Sequence, residues 1–278
     1  MAWNEDINDN NEYFAKIQPV LSDGKAIAAD IMMPTYWLVP RLVQLGWLEK
    51  LPLDAIPNRA NQLPSLKNPS WDPSGEYSLP WQTGITGIAY NKKAAGGEVR
   101  SMADFFAPAL KGRVGALTEM RDTIGLLMLA DGQDPASATF ERAAGAFARL
   151  QEAKDSGHIR RFTGNDYLDD LVAGNFAACV AWSGDVAQLA LDNPDIGFAI
   201  PEEGGMRFAD CMVIPKGAAN VANAAKFMDF VYNPANAARI TAAVQYISPV
   251  SGVDEALRQL GGDAAGLASS TVLFPDAA

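Results

Sequence analysis

Short apolar runs bounded by turn residues alternate along the chain with longer stretches of helical period, and that alternation predicts its elements. The run Asp30-Ile-Met-Met-Pro34 predicts a short buried strand. Residues 36–45 predict a helix closed by Gly46, because glycine readily takes the left-handed conformation that ends helices. Trp37 falls at this strand-to-helix corner. Residues 51–78, dense in Pro, Asn and Ser, predict turns and surface loops. Gly84-Ile-Thr-Gly-Ile-Ala-Tyr-Asn91 predicts a strand that leaves a first lobe, and 113–117 predicts another. A helix start follows at Thr118, with acids in its first turn and the apolar run 124–129 behind them.

An amphipathic helix over 138–154 leads to a short helix at 166–173, ended by Gly174, and then to a buried strand at 177–182. Ser183-Gly-Asp185 begins the next helix, 186–191, which stops before Asn193-Pro194. Strands follow at 196–200 and, after the turn Pro201-Glu-Glu-Gly-Gly205, at 207–214, where the chain returns to the first lobe. Asn220 is expected to cap a helix over 221–232, and Asn233-Pro234 places a cap and then proline at the first position of the next helix. Strands alternating with helices predict an α/β architecture with mostly parallel sheets. The two crossings divide the chain into one lobe of residues 1–90 and 210–278 and a second of 91–209. There is no internal repeat.

With 278 residues, 49% hydrophobic and 20% charged, the chain can bury a sizeable core and is expected to fold as roughly one to two domains. Its 22 Lys plus Arg against 33 Asp plus Glu give a net charge of -11. That excess argues against nucleic acid or an anionic membrane as partner and favours a small cation. Cys179 and Cys211 both lie in apolar runs and read as buried free thiols. No Cys/His cluster with metal-ligand spacing exists, so no metal is expected, and no P-loop or dinucleotide fingerprint points to a cofactor. The beginning, Met1-Ala-Trp-Asn-Glu-Asp-Ile, lacks the basic and apolar regions of a signal peptide.

The candidate chemistry sits at the corners. Glu119 and Asp122 lie in Leu117-Thr-Glu-Met-Arg-Asp122, Asp185 in Trp182-Ser-Gly-Asp185, and Asp210 in Phe208-Ala-Asp210. In open α/β sheets ligands bind where strand ends meet helix starts. A bare helix N-terminus attracts anions, but acids on those turns invert the sign and favour cations. Carboxylates hold ammonium groups by charge-assisted hydrogen bonds, while ring faces such as Trp37, Trp182 and Phe208 accept the methylenes between them. Taken singly, each acid also reads as a helix cap and each ring as core packing.

Taken in order, these segments resemble the spermidine/putrescine-binding proteins of bacterial ABC importers. The matching landmarks include Asp30-Ile-Met-Met-Pro34, Leu79-Pro-Trp-Gln-Thr-Gly-Ile-Thr-Gly-Ile-Ala-Tyr-Asn91, Val180-Ala-Trp-Ser-Gly-Asp185, Phe198-Ala-Ile-Pro-Glu-Glu-Gly-Gly205, Phe208-Ala-Asp210 and Tyr246. The resemblance implies a type II periplasmic-binding-protein fold, in which two α/β lobes close on a polyamine in the cleft between them and present it to a membrane permease. It implies a monomeric, periplasmic or extracellular receptor that is not an enzyme. It further implies that Trp182 with Asp185 and Phe208 with Asp210 hold the amine chain, joined by Glu119, Asp122 and Tyr246. Trp37 stands at a corner that relatives fill with Tyr or Ser. Relatives begin with an export signal and a further strand-helix unit and continue past the Leu273-Phe-Pro-Asp276 motif, so against them this sequence reads as truncated at both ends.

Other readings are a receptor for another cationic or zwitterionic solute and a hydrolase built on paired carboxylates. Against the hydrolase, no nucleophile-base pairing stands out, and His158, in Asp155-Ser-Gly-His158, reads as a solvated surface histidine.

Overall fold

The computed structural model describes residues 2–270 together with Leu273 and Phe274, so Pro275 and Asp276 of the C-terminal motif lie outside the described residues. The chain divides into two units, Met1–Thr83 with Phe208–Ala278 and Gly84–Arg207. Among the described residues there are six strands: β1 (Ser78–Asn91), β2 (Val114–Leu117), β3 (Ile159–Thr163), β4 (Ala178–Trp182), β5 (Ile196–Ala199) and β6 (Met206–Val213).

In the unit Gly84–Arg207 the strand order is β3-β2-β4-β1-β5. β2 runs parallel to β3 and β4, whereas β1 is antiparallel to both β4 and β5. The sheet is therefore mixed, not mostly parallel as the alternation of elements suggests. The reason is connectivity. β2 to β5 are joined through helices, and crossovers of that kind return each strand in the same direction, while β1 enters from the other unit and runs against them.

Helix Met120–Ala130 buries every residue from Asp122 to Met128, which explains why its apolar run shows no polar face. Helix Phe140–Asp155, capped by Thr139, turns the small residues Ala143, Ala146 and Ala153 inward. β3 is not anticipated by the sequence. Its residues Ile-Arg-Arg-Phe-Thr lack a strand-like apolar run because it is an edge strand with Arg160 and Arg161 exposed. The residue before it corrects another expectation. His158 is buried, with Nε2 3.0 Å from the Phe105 carbonyl oxygen and its ring 5.5 Å from that of Phe106.

In the other unit, the expected strand at 30–34 is an extended segment held by single bridges, Met32 to Val213 and Thr35 to Asp210. Too few consecutive residues pair to make a ladder. The expected helix at 36–45 begins as a 3-10 turn, Tyr36–Leu38, and continues as an α-helix, Val39–Gln44; Gly46 follows with φ +71. Pro40 cannot donate a backbone hydrogen bond, which the tight first turn tolerates. Helix Asn10–Ser22 is not anticipated either. Asp9 caps it by accepting from the N–H groups of Asn11 and Glu12, and Tyr13, Phe14, Ile17 and Leu21 are buried along one face. Pro19 within the helix hides that periodicity from a reading that treats proline as a breaker.

Asn220 precedes helix Val221–Val231 but makes no side-chain cap. Its backbone N–H and Nδ2 both donate to Asp30, at 2.9 and 3.1 Å. Asn233 does cap helix Pro234–Val244, accepting from Ala235 N–H. The loop-rich stretch 51–78 is organised by Asp72. This buried carboxylate accepts from the N–H groups of Tyr77 and Ser78 and from the hydroxyls of Ser74 and Ser78. Cys179 and Cys211 are both buried and unpaired with each other, and burial pushes both thiols well up from the usual range. No helix among the described residues is long and apolar enough to cross a membrane.

Candidate binding residues

Four residues of the unit Gly84–Arg207 form one connected frame. β4 ends at Trp182, and helix Ser183–Asp192 begins at the next residue, so Asp185 lies in its first turn. Ser183 fastens that corner by accepting from Ile85 N–H at 3.2 Å. The indole Nε1–H of Trp182 donates to Asp122 at 2.8 Å, so a carboxylate from the helix behind β2 holds the ring. Tyr167, the first residue of helix Tyr167–Val172, is fully buried. Its hydroxyl donates to Asp185 at 2.8 Å and accepts the backbone N–H of Trp182 at 3.3 Å. The Tyr167 and Trp182 rings meet edge to face, with centroids 5.8 Å apart.

Three of the residues expected from sequence, Asp122, Trp182 and Asp185, are thus brought together, and Tyr167 links them. Asp122 is buried, and its bond to the indole satisfies a polar tip that burial would otherwise make costly. Glu119 is the N-cap of the same helix, Met120–Ala130, and accepts from Arg121 N–H. The Arg121 guanidinium lies 3.5 Å from its carboxylate. A permanent cation therefore accompanies the acid at this corner.

The unit Met1–Thr83 with Phe208–Ala278 holds the second set. Phe208 and Asp210 are two apart on β6, so their side chains leave the same face of the strand. Thr35 bridges to Asp210 through the backbone and donates its hydroxyl to the carboxylate at 2.9 Å. Asn10 completes the arrangement. Its Nδ2 donates to the Thr35 hydroxyl oxygen at 2.9 Å and its Oδ1 accepts from Thr35 N–H at 3.0 Å. Trp37 lies two residues beyond Thr35, half-buried in the 3-10 turn and packed against the core that includes Phe14 and Leu38.

Tyr246 meets Phe208 edge to face at 6.3 Å. Its position follows from a backbone reversal: Gln245, at φ +54, leaves helix Pro234–Val244 in the left-handed region, and Ile247 then pairs with Thr83 in both directions at 2.9 Å. Tyr246 also lines a small pocket with Trp81, Tyr232, Thr241 and Ser248.

Tyr167, Thr35 and Asn10 are the residues that sequence reasoning misses. Each has a faint signal. Tyr167 is an aromatic residue following Asn165-Asp166 at a helix start, Thr35 stands between Pro34 and the Trp37 corner, and Asn10 directly follows the Asp9 cap. None of these types is charged, and a search that begins from carboxylates passes over the groups that orient them.

No group of three or more His, Cys, Asp or Glu side chains among the described residues is arranged to hold a metal ion. The fold is that of periplasmic binding proteins. The chain belongs to the bacterial extracellular solute-binding protein family, whose model matches residues 5–260.

Among similar sequences, the spermidine/putrescine-binding periplasmic protein 1 of Haemophilus influenzae is 24% identical over 249 residues, spanning 89% of this chain and 67% of that protein. The spermidine/putrescine-binding periplasmic protein of Escherichia coli K12 is 24% identical over 269 residues, spanning 96% of this chain and 74% of the relative. Among solved structures, the spermidine/putrescine ABC transporter substrate-binding protein PotD of Streptococcus pneumoniae superposes with a TM-score of 0.77 at 22% identity, covering 96% of this chain and 79% of that one. The family and these relatives are solute-binding proteins, not enzymes.

Proposed function

We propose that this protein captures a polyamine, spermidine or putrescine, outside the cytoplasmic membrane and delivers it to the permease of an ABC importer. The names of the relatives in Haemophilus influenzae and Escherichia coli support the ligand class, and the substrate-binding role of the Streptococcus pneumoniae protein supports the permease partner. The observation that carries the reading is a motif found once in each unit: an acid oriented by a hydroxyl donor, beside an aromatic ring. Tyr167 orients Asp185 next to Trp182, and Thr35 orients Asp210 next to Phe208 and Tyr246.

Oriented carboxylates form strong charge-assisted bonds to ammonium groups, and ring faces favour both the cation and the methylenes beside it. Within each unit the acid therefore suits one ammonium group, and the rings beside it, Trp182 in one unit and Phe208 with Tyr246 in the other, suit the methylenes next to that amine. Asp122 contributes by fixing the Trp182 ring, and Glu119 lies at the start of the same helix with its charge offset by Arg121. Titration calorimetry tests the reading. Spermidine or putrescine should bind the native chain, and Asp185→Ala should weaken the better ligand about tenfold or more, the loss of one charged hydrogen bond and its Coulomb partner. Unchanged affinity would remove Asp185 from the site.

A second reading, a receptor for a zwitterionic solute, is favoured by one observation, the Arg121 guanidinium beside Glu119. It offers a partner to a ligand carboxylate. Heat on titration with amino acids, and none with either polyamine, would decide for it.

A further inference from the structure

We propose that Tyr167 is a positioning residue for solute binding, one that sets the Asp185 carboxylate and the Trp182 ring in a single fixed relation; the inference rests on the polyamine reading above. The geometry is specific. Asp185 and Trp182 come from opposite sides of the β4-to-helix corner, three residues apart. Tyr167 comes from a different element, helix Tyr167–Val172, and its one hydroxyl reaches both, donating to the Asp185 carboxylate at 2.8 Å and accepting the backbone N–H of Trp182 at 3.3 Å.

A phenol has one hydrogen to give and lone pairs to accept with, so both capacities are used. The ring cannot swing away. Tyr167 is 0% exposed, and its edge contact with the indole fixes the direction in which the hydroxyl points. At its far end the indole is fastened again, by Asp122 at 2.8 Å. The result is a frame Asp122-Trp182-Tyr167-Asp185 in which ring and acid cannot move independently.

A carboxylate accepts at several lone-pair positions, so the phenol orients Asp185 without exhausting its capacity for an ammonium donor. Without the hydroxyl, the carboxylate loses one of the bonds that orient it, and binding must offset the freedom this adds. Placed acids bind better than mobile ones.

The test is a double-mutant cycle read by calorimetry with spermidine and with putrescine, on the full chain and on Tyr167→Phe, Asp185→Asn and the double variant, with thermal melting of each. Tyr167→Phe keeps the ring and its contact with Trp182 and removes only the hydroxyl. It should weaken the better-bound amine about tenfold in the native background, the scale of a hydrogen bond to a charged group. In the Asp185→Asn background the same change should cost less than about twofold, because the carboxylate it orients is gone.

A merely structural hydroxyl predicts something else: lower melting temperatures, with an equal loss of affinity in both backgrounds. That equal loss overturns the inference, as does a Tyr167→Phe chain that binds like the native one or that does not fold at all. A native chain that binds neither amine overturns the polyamine reading itself and the inference with it, an outcome distinct from native binding that Tyr167→Phe leaves unchanged.

Discussion

Asp185 and Asp210 share a device: each carboxylate takes a hydrogen bond from a hydroxyl brought by another segment, Tyr167 in one unit and Thr35 in the other. The Thr35 hydroxyl is itself held by Asn10, so the donor to Asp210 has its own orientation set. Thr35→Val keeps the shape and removes the donor. Polyamine affinity should fall about three- to tenfold, because a hydrogen bond to a charged group is lost while the backbone bridge to Asp210 remains. Calorimetry on the variant reads this directly, and a loss confined to the melting temperature would assign the hydroxyl to stability alone. The cysteines give a control for folding. Burial raises both thiols, so neither should react with a disulfide reagent at pH 8 in the native chain, and both should react once denaturant unfolds it.

At the scale of elements, the sheet that carries Trp182 is closely packed at β2, the neighbour of β4. Gly115 lies in β2, and a Cβ there would meet the Phe176 ring at 2.5 Å, with Phe176 fully buried and unable to retreat. Gly115→Ala should cost about 1–3 kcal/mol in denaturant unfolding, the usual range for overpacking a filled core. Gly266→Ala supplies the contrast. It sits in helix Gly262–Leu267 with nothing within 4 Å of the added methyl, so the change should stabilise by roughly 0.5–1 kcal/mol through helix propensity. Equal effects of the two would mean that packing around β2 is looser than the distances state.

These elements also show what a sequence discloses. β2, β4 and helix Met120–Ala130 are legible because buried strands and a buried helix leave apolar runs flanked by turn residues, and β5 and β6 are legible as apolar-rich stretches on either side of the turn at 201–205. β3 is not, because an edge strand solvates its arginines, and helix Asn10–Ser22 is not, because Pro19 interrupts its pattern. Strand direction is hidden as well: period and composition are the same whether β1 meets its neighbours parallel or antiparallel. Of the candidate residues, charge and aromaticity mark Asp122, Trp182, Asp185, Phe208 and Asp210. The bonds that assemble them come from Tyr167, Thr35 and Asn10, whose roles depend on contacts far apart in sequence. His158 errs for the same reason, since the Phe105 carbonyl that shelters it is 53 residues away.

At the scale of the whole chain, the net charge of -11 attracts any cation, and that general attraction must be separated from seating of an amine. Two arguments separate them. Diffuse attraction between exposed charges is screened once salt shortens the Debye length from about 8 Å at physiological ionic strength to about 3 Å at 1 M, whereas contacts made at half-buried acids are screened far less. A ligand that binds only the folded form stabilises it by mass action, about 2.7 kcal/mol at a hundred times its dissociation constant. For a chain of this size that is a rise of several degrees in melting temperature. Spermidine should therefore raise the melting temperature by several degrees, and magnesium chloride at equal charge concentration should not. Most of the rise should survive 0.5 M sodium chloride. Asp185→Ala changes the net charge by a single unit, so diffuse attraction predicts an almost unchanged shift for it, while a seated amine predicts that the shift largely disappears. A melting temperature that magnesium raises as much as spermidine does, in the native chain and in the variant alike, would reduce the acidic excess to a solubility device and leave the oriented carboxylates without an amine to hold.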